Sequence, residues 1–308
     1  MHNDSVHSRK SIKVLVVVGP TASGKSALAV ELARRFNGEI ISADSRQVYR
    51  GLDIGTGKIT EREMRGIPHH LLDIVSPKRV FTAHDFLTRG RKVLCDIAGR
   101  GKLPIIAGGT GFYIDALLGR IALPDTPANQ GLRAALKDVG ERELFSMLEE
   151  LDPRRAESID RHNKRRLIRA LEIAHAPGGS ARASKGAARP PAYDTLWIGL
   201  ALDTKARRER IARRLKARLR QGMVAEARRL HASGLSYKRM DALGLEYRAL
   251  ARYLQGKVSR KDLESQLHRD ICRYAKRQVT YWRRNNEIRW FAPSQMRKTM
   301  RTIRDWLS

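Results

Sequence analysis

Hydrophobic and polar positions change their spacing along the chain in a way that separates strands from helices. Ile12 to Val18 is a short β-branched run ending at Gly19, and Ser26 to Arg35 then carries helix formers with apolar residues at Leu28 and Leu32. The pattern predicts strand, loop, helix. Glu39 to Ala43 predicts a second strand, Val93 to Ala98 the end of a helix, and Leu103 to Ala107 a third strand closed by Gly108 and Gly109. Alternating β and α units of this kind predict an α/β fold, a parallel sheet flanked by helices.

After Leu123 the character changes. Pro124 and Pro127 interrupt the chain, and helical periodicity runs through Leu132 to Leu151 and again through Lys164 to Ala174. An inserted helical subdomain is therefore expected over residues 124–192, between a first part of the core at 12–123 and its remainder at 193–308. Ala176 to Ala192 is rich in Gly, Pro, Ser and Ala and predicts a mobile loop. Beyond it, Leu196 to Leu202 predicts a strand. Helices follow near Lys205 to Arg220, Val224 to Ser233, Leu243 to Leu254 and Arg260 to Arg284, then a short strand at Ile288 to Phe291. No internal repeat is evident.

Charge adds a partner to this picture. Lys and Arg number 61 against 32 Asp and Glu, a formal net charge of +29 over 308 residues. A polyanion, with nucleic acid the best fit, is the leading electrostatic expectation, although a basic composition can also reflect the host genome. The two cysteines, Cys95 and Cys272, provide neither a disulfide framework nor zinc-site spacing. The polar opening MHNDSVHSRKSIK and the strand-length apolar runs predict a cytoplasmic protein without a membrane segment.

Candidate chemistry starts at Gly19, Pro20, Thr21, Ala22, Ser23, Gly24, Lys25 and Ser26, which fit G-x-x-x-x-G-K-[ST] between a predicted strand and a predicted helix. The fold expected is P-loop NTPase-like. Such a loop aims backbone N–H groups and a helix N-terminus at phosphate oxygens, while Lys25 supplies charge and Ser26 a ligand for Mg2+. Asp44 follows the second strand and should project from the carboxyl edge of the sheet, where a carboxylate can accept a proton from a nucleophile; it can equally cap a turn. Gly108 to Gly111, with the Thr110 hydroxyl, lies at the same edge and reads either as a close approach to ligand or as a strand-to-helix turn.

Taken together, GPTASGKS (Gly19 to Ser26), DSRQVYRGLDIGTGK (Asp44 to Lys58), PHHLLDI (Pro68 to Ile74), AHDF (Ala83 to Phe86) and GGTGFYI (Gly108 to Ile114) resemble the tRNA dimethylallyltransferase family. RLIRALE (Arg166 to Glu172) and AKRQVTYWRR (Ala275 to Arg284) are similar to its downstream blocks. The resemblance implies transfer of a dimethylallyl group from dimethylallyl diphosphate to N6 of adenine 37, just 3′ of the anticodon, in tRNAs reading codons that begin with U. It implies that Gly19 to Ser26 grip the donor diphosphate with Ser26 beside Mg2+, that Asp44 accepts the N6 proton, and that Thr110 lies beside the substrates. Arg210 and Arg214 resemble the family's diphosphate-clamping arginines, though each also reads as part of a solvated helix face. Ser45, Arg46 and Gln47 are placed by the resemblance on nucleotides around the target adenine.

RNA contacts are expected further along the chain. Arg133 and the stretch Arg165, Arg166, Leu167, Ile168 and Arg169 are candidates for gripping a tRNA anticodon stem-loop, against the alternative of a solvated helical surface. The segment Arg273 to Arg284 combines cations with Tyr274, Tyr281 and Trp282, suited to phosphate contact and stacking, while helical spacing also allows those aromatics to be core. LGLEYR at Leu243 to Arg248 departs from the family's usual Gly-Tyr followed by Lys or Arg, and Ile271 and Cys272 replace a usual Thr-Arg; these bear on RNA contacts, not on the donor site. Rival readings are a small-molecule P-loop kinase, a non-catalytic RNA-binding NTPase and an adenylate prenyltransferase. The expected oligomeric state is a monomer.

Overall fold

A computed structural model describes residues 11–124, 126–177, 179 and 193–308. Its elements, in order, are β1 (Ile12–Val18), α1 (Lys25–Arg35), β2 (Gly38–Ala43), α2 (Glu61–Met64), β3 (His69–His70), α3 (Ala83–Gly99), β4 (Leu103–Gly108) and α4 (Gly111–Leu117). Four helices follow, α5 (Gln130–Ala135), α6 (Glu141–Leu151), α7 (Pro153–Ser158) and α8 (Lys164–Ala174). The chain continues with β5 (Tyr193–Leu200), α9 (Thr204–Arg220), α10 (Met223–Ala232), α11 (Tyr237–Leu243), α12 (Leu245–Leu254), α13 (Arg260–Trp282), β6 (Arg289–Phe291) and α14 (Met296–Leu307).

The strands form one parallel sheet in the order β3-β2-β4-β1-β5-β6. β2 is buried along its whole length and Val14 to Val18 of β1 are fully buried, as a parallel sheet covered on both faces requires. Leu15, Val17, Ile105 and Ile198 meet Leu28, Leu32 and Ile303 in one apolar cluster. Register brings Val18 level with Gly108 and Gly199, and Ala43 level with Gly108. The carboxyl ends of β1, β2, β4 and β5 therefore open at one edge, where the loops carrying the phosphate motif, Asp44 and Gly109 to Thr110 converge.

Two compact units result. One combines residues up to Leu117 with those from Ala192 onward, and the other runs from Leu118 to Pro191, starting upstream of Pro124. The second unit has its own core of Leu136, Leu144, Leu148, Leu167 and Leu171. The helical run expected over Leu132 to Leu151 is broken into α5 and α6, since Gly140 adopts an extended conformation and opens α6 without a side-chain cap. The helix expected from Leu243 to Leu254 starts only after Gly244, where φ is +79, as α12, and Leu243 instead closes a separate helix, α11. The expected strand at Leu196 to Leu202 begins and ends earlier, as β5. α14 was not anticipated; its Met300 and Ile303, on one face, join the main core. Most of the expected loop from Ala176 to Ala192 lies outside the described residues. Among the described residues no helix is long and apolar enough to cross a membrane.

Candidate active site

The phosphate motif forms the turn between β1 and α1. Gly19 and Pro20 leave the strand, Ala22 and Gly24 adopt left-handed conformations at φ +63 and +98, and α1 opens at Lys25 with its N-terminal N–H groups directed into the turn. Two helices from the far end of the chain brace it. The Thr21 N–H donates to Gln278 Oε1 of α13 at 2.8 Å, and Arg210 Nη1 of α9 donates to the Ser23 carbonyl at 3.4 Å. Ser23 is fully buried, and its Oγ has no partner among the described residues.

Lys25 and Ser26 line a cavity of about 490 Å3 that also contains Asp44, Ser45, Arg46, Gln47 and Arg214. A neighbouring cavity of about 750 Å3 shares Lys25, Ser26, Gly57, Ile59 and Arg214 with the first and adds Arg210 and Arg213. Cationic groups therefore gather at the phosphate loop, and burial, with their mutual repulsion secondary, shows in their acidities. Burial draws the Lys25 ammonium down to about 8; Asp44 opposes this and Arg214 adds to it. Arg214 remains open to both cavities but is crowded by protein elsewhere, and desolvation followed by the charge of Arg218 lowers its pKa from the ordinary value. An anion placed between Lys25 and Arg214 would relieve both. The first cavity also has an apolar part, made by Ala29, Ile40, Ile59 and Ala107.

Asp44 both caps a turn and lines the cavity. Its Oδ1 accepts the N–H groups of Arg46 at 2.8 Å and Gln47 at 3.3 Å, so it does cap the turn after β2. Its Oδ2 has no such partner among the described residues and belongs to a side chain that lines the cavity. Thr110 supports this turn: its Oγ1 accepts the Ser45 N–H at 3.1 Å, while its own N–H donates to the Ala43 carbonyl at 3.1 Å. Gly108, not Thr110, lines the cavity. The structure thus gives Thr110 a positioning contact.

The glycines of this loop owe their presence to α13. A Cβ on Gly109 would fall 2.1 Å from Gln278 Nε2, and one on Gly111 would fall 2.1 Å from the Tyr281 ring. Gln278 Nε2 donates to the Gly109 carbonyl at 3.0 Å, so a single buried amide ties together the phosphate loop and the loop after β4. Tyr281 reaches Asp115 with its hydroxyl. The close approach of these side chains, not a turn alone, requires glycine.

Sequence reasoning missed several residues that complete the cavity. Arg248, Arg277 and Gln278 line it beside Tyr274, the last with a pKa raised by burial and then by Asp44 and Glu246. The basic aromatic character of Arg273 to Arg284 was the available signal, and the structure divides it. Tyr274 faces the site, whereas Trp282 is core, 6.0 Å from Trp197 between ring centroids. Glu246, one of the divergent positions, pairs with Arg218 at 3.2 Å, and Arg218 in turn donates to the Gly55 carbonyl.

The helical unit corrects part of the RNA-binding expectation. Leu167 is fully buried in its core and Ile168 packs against that core, because both occupy the apolar stripe of α8. Arg133 and Arg169 converge on the buried carboxylate of Glu172, Arg133 through Nε at 2.7 Å and Nη2 at 2.9 Å, Arg169 through Nη1 at 3.1 Å. A buried carboxylate needs such partners, so these arginines have a structural role here. Arg165 and Arg166 are the exposed cations of the stretch.

Comparisons with known proteins agree with this arrangement. A family model described as IPP transferase matches residues 47–285. The chain is 42% identical over 281 residues to the tRNA dimethylallyltransferase of Anoxybacillus flavithermus, covering 91% of this chain and 90% of that protein. It is 43% identical to tRNA dimethylallyltransferase 1 of Geotalea uraniireducens, with 89% of each covered. The solved tRNA isopentenylpyrophosphate transferase of Bacillus halodurans superposes with a TM-score of 0.72 at 36% identity, over 97% of each chain. A eukaryotic dimethylallyltransferase solved acting on tRNA superposes with a TM-score of 0.78 at 26% identity, over 92% of this chain and 74% of that one. With a phosphate loop, a carboxylate beside it and matches that run nearly end to end, the chain belongs to the tRNA dimethylallyltransferase family.

Proposed function

We propose that the protein transfers the dimethylallyl group of dimethylallyl diphosphate to N6 of adenine 37, just 3′ of the anticodon, in tRNAs reading codons that begin with U. The observation that carries this reading is that Asp44, Lys25 and Arg214 line one cavity together with the apolar group Ala29, Ile40, Ile59 and Ala107. The phosphate loop takes the diphosphate, the apolar part takes the allyl fragment away from water, and Asp44 meets the adenine. N6 of adenine is a poor nucleophile because its lone pair is delocalised into the ring. As the bond from N6 to C1 of the allyl group forms and the C1–O bond breaks, the N6 proton passes to Asp44 and the bonding electron pair leaves with the diphosphate. Lys25, Arg210 and Arg214 hold the charge that collects there.

Among the described residues no group of three or more His, Cys, Asp or Glu could hold a metal. The donor set at the loop, the exposed Ser26 hydroxyl next to a diphosphate, suits Mg2+ carried in with its phosphate ligands. Bound there it would neutralise part of the leaving group's charge. The tRNA is read around the adenine by Ser45, Arg46 and Gln47 and held by exposed cations such as Arg165 and Arg166. The enzyme acts as a monomer in the cytoplasm.

The test is to incubate the protein with Mg2+, dimethylallyl diphosphate and bulk tRNA, digest the RNA and measure N6-dimethylallyladenosine by mass spectrometry. Parallel reactions offer adenosine monophosphate as acceptor, or ATP with a pool of small hydroxyl compounds. Product on tRNA is expected. Prenylation of the free nucleotide alone, or phosphate transfer without prenylation, would overturn the reading.

A further inference from the structure

α13 presents two working faces. Tyr274, Arg277 and Gln278 line the cavity that contains Asp44, whereas Arg269, Arg273, Lys276 and Arg283 line a separate cleft of about 1010 Å3. Arg207 and Arg208 of α9 and Trp290 of β6 complete that cleft, and Arg273 borders both cavities. The spacing from Arg269 to Arg273, Lys276 and Arg283 keeps the cations on one side of the helix, and at 1.5 Å per residue the row runs for about 21 Å.

Few of these charges are matched within the protein: among the described residues only Arg273 has an ion pair, to Asp270 at 3.4 Å. Asp203 is the carboxylate lining the cleft, and its Oδ1 already accepts the Ala206 N–H at 2.9 Å, capping α9. Arg208, Arg269, Lys276 and Arg283 have no ion pair among the described residues, in contrast to Arg133 and Arg169, which are matched to Glu172. A concentration of like charge works against the compact state unless a partner neutralises it. Trp290, 37% exposed on the edge strand β6, sets a large aromatic surface beside the cations. Cations that follow a line together with an aromatic platform are the features of a groove for single-stranded nucleic acid. Length decides between ligands of this chemistry: a row of about 21 Å suits a chain of phosphates, and one small phosphate compound occupies only part of it.

We infer that this cleft is a phosphate track for the RNA substrate, leading a single-stranded segment away from the adenine cavity by way of Arg273, with a base stacked on Trp290. The inference rests on the proposed use of RNA as acceptor and extends the contact surface beyond the catalytic cavity.

The test measures binding of a labelled tRNA anticodon stem-loop to the full chain over a range of salt concentrations. The variant Arg208→Gln/Arg269→Gln/Arg283→Gln spares Arg273, which borders the catalytic cavity. A control, Arg297→Gln/Lys298→Gln/Arg301→Gln, removes the same charge from exposed positions of α14. The cleft variant is expected to bind RNA at least about tenfold more weakly than the control, with a slope of log affinity against log salt shallower by about two. Trp290→Leu should weaken binding about tenfold. At saturating RNA, kcat and the donor KM should match wild type. Equal affinity and slope in cleft variant and control would overturn the inference. So would inorganic tripolyphosphate that binds wild type and not the cleft variant while RNA affinity stays unchanged, since the cleft would then serve a free polyphosphate. Wild-type protein that binds the stem-loop through these cations yet prenylates no RNA would overturn the proposed function alone.

Discussion

At the scale of single residues, the site holds its cations in tension until an anion arrives. Lys25 titrates near 8 because burial disfavours its charge, with Arg214 adding to the effect. A bound diphosphate would push that value back up, so the free and donor-bound proteins differ in protons held whenever the pH is near or above 8. Donor binding at about pH 8.5 should therefore take up a substantial fraction of a proton, and donor affinity should fall as pH rises through 8. Calorimetry in two buffers of different ionisation heat measures the uptake directly. Lys25→Arg should abolish it, and a wild-type uptake of zero would contradict the assignment. Asp44 allows a second separation, because its two oxygens have different work. Asp44→Asn keeps an acceptor for the Arg46 and Gln47 N–H groups but cannot take a proton, so it should melt like wild type and lose about 10²- to 10⁴-fold in turnover. Asp44→Ala loses the turn contact as well, and should cost about 0.5–2 kcal/mol of stability in addition. If the Asn variant turned over at a near-normal rate, Asp44 would be a cap and nothing more.

At the scale of elements, what could be read from the chain was what depends on near neighbours. β1 and α8 were predicted with the bounds they have, since a β-branched run ending in Gly and an apolar stripe opened by an Asn cap are complete local signals. The breaks at Gly140 and Gly244 were lost because apolar periodicity continues on either side of each. The glycines after β4 admit two explanations from the chain alone because Gln278 and Tyr281, which decide the matter, come from α13. The DIGTGK stretch has the same character. Its first three residues, Asp53, Ile54 and Gly55, aim successive N–H groups at the buried carboxylate of Glu226, with distances of 3.1 and 2.7 Å to Oε2 and 2.8 Å to Oε1, and the Tyr247 hydroxyl donates to Oε1 at 2.6 Å. This anchors the loop whose Gly57 lies against Arg214 and Arg218. In Glu226→Gln either orientation of the amide turns an NH2 group toward an N–H donor that had an acceptor. A loss of about 1–3 kcal/mol is expected, seen as a fall of several degrees in Tm, together with a raised donor KM and little change in RNA affinity. Tyr247→Phe removes one donor and should be milder. A Glu226→Gln protein with unchanged Tm would show that the carboxylate does not secure the loop.

At the scale of the whole molecule, the chain divides its tasks between units that each carry a core. The α/β class was legible because β1 and β4 are largely buried apolar runs closed by glycine, and the phosphate motif stands between the first of them and its helix. Which arginines meet RNA was not legible, because paired and unpaired cations look alike in a sequence with a net charge of +29. Arg133 and Arg169 lie in the second unit as partners of Glu172, whereas Arg269, Lys276 and Arg283 of α13, without an ion pair among the described residues, belong to the first. Every strand, both cavities at the phosphate loop and the basic cleft are formed by residues up to Leu117 and from Tyr193 onward. Among the described residues the helical unit contributes none of them, and its apolar cluster is made by its own residues. Replacing Leu118–Pro191 with a flexible Gly/Ser linker should therefore leave a folded protein that binds dimethylallyl diphosphate within about threefold of wild type, since a flexible connection of this kind adds little loop entropy. Its RNA binding should weaken through loss of Arg165 and Arg166, yet keep the part of the salt dependence that Arg208, Arg269 and Arg283 supply. Combining the excision with the three glutamine substitutions in the cleft should reduce the slope further, because separated sites act additively. An excised protein that no longer bound the donor would mean that the phosphate site depends on the helical unit, and the division of labour read from the two cores would be wrong.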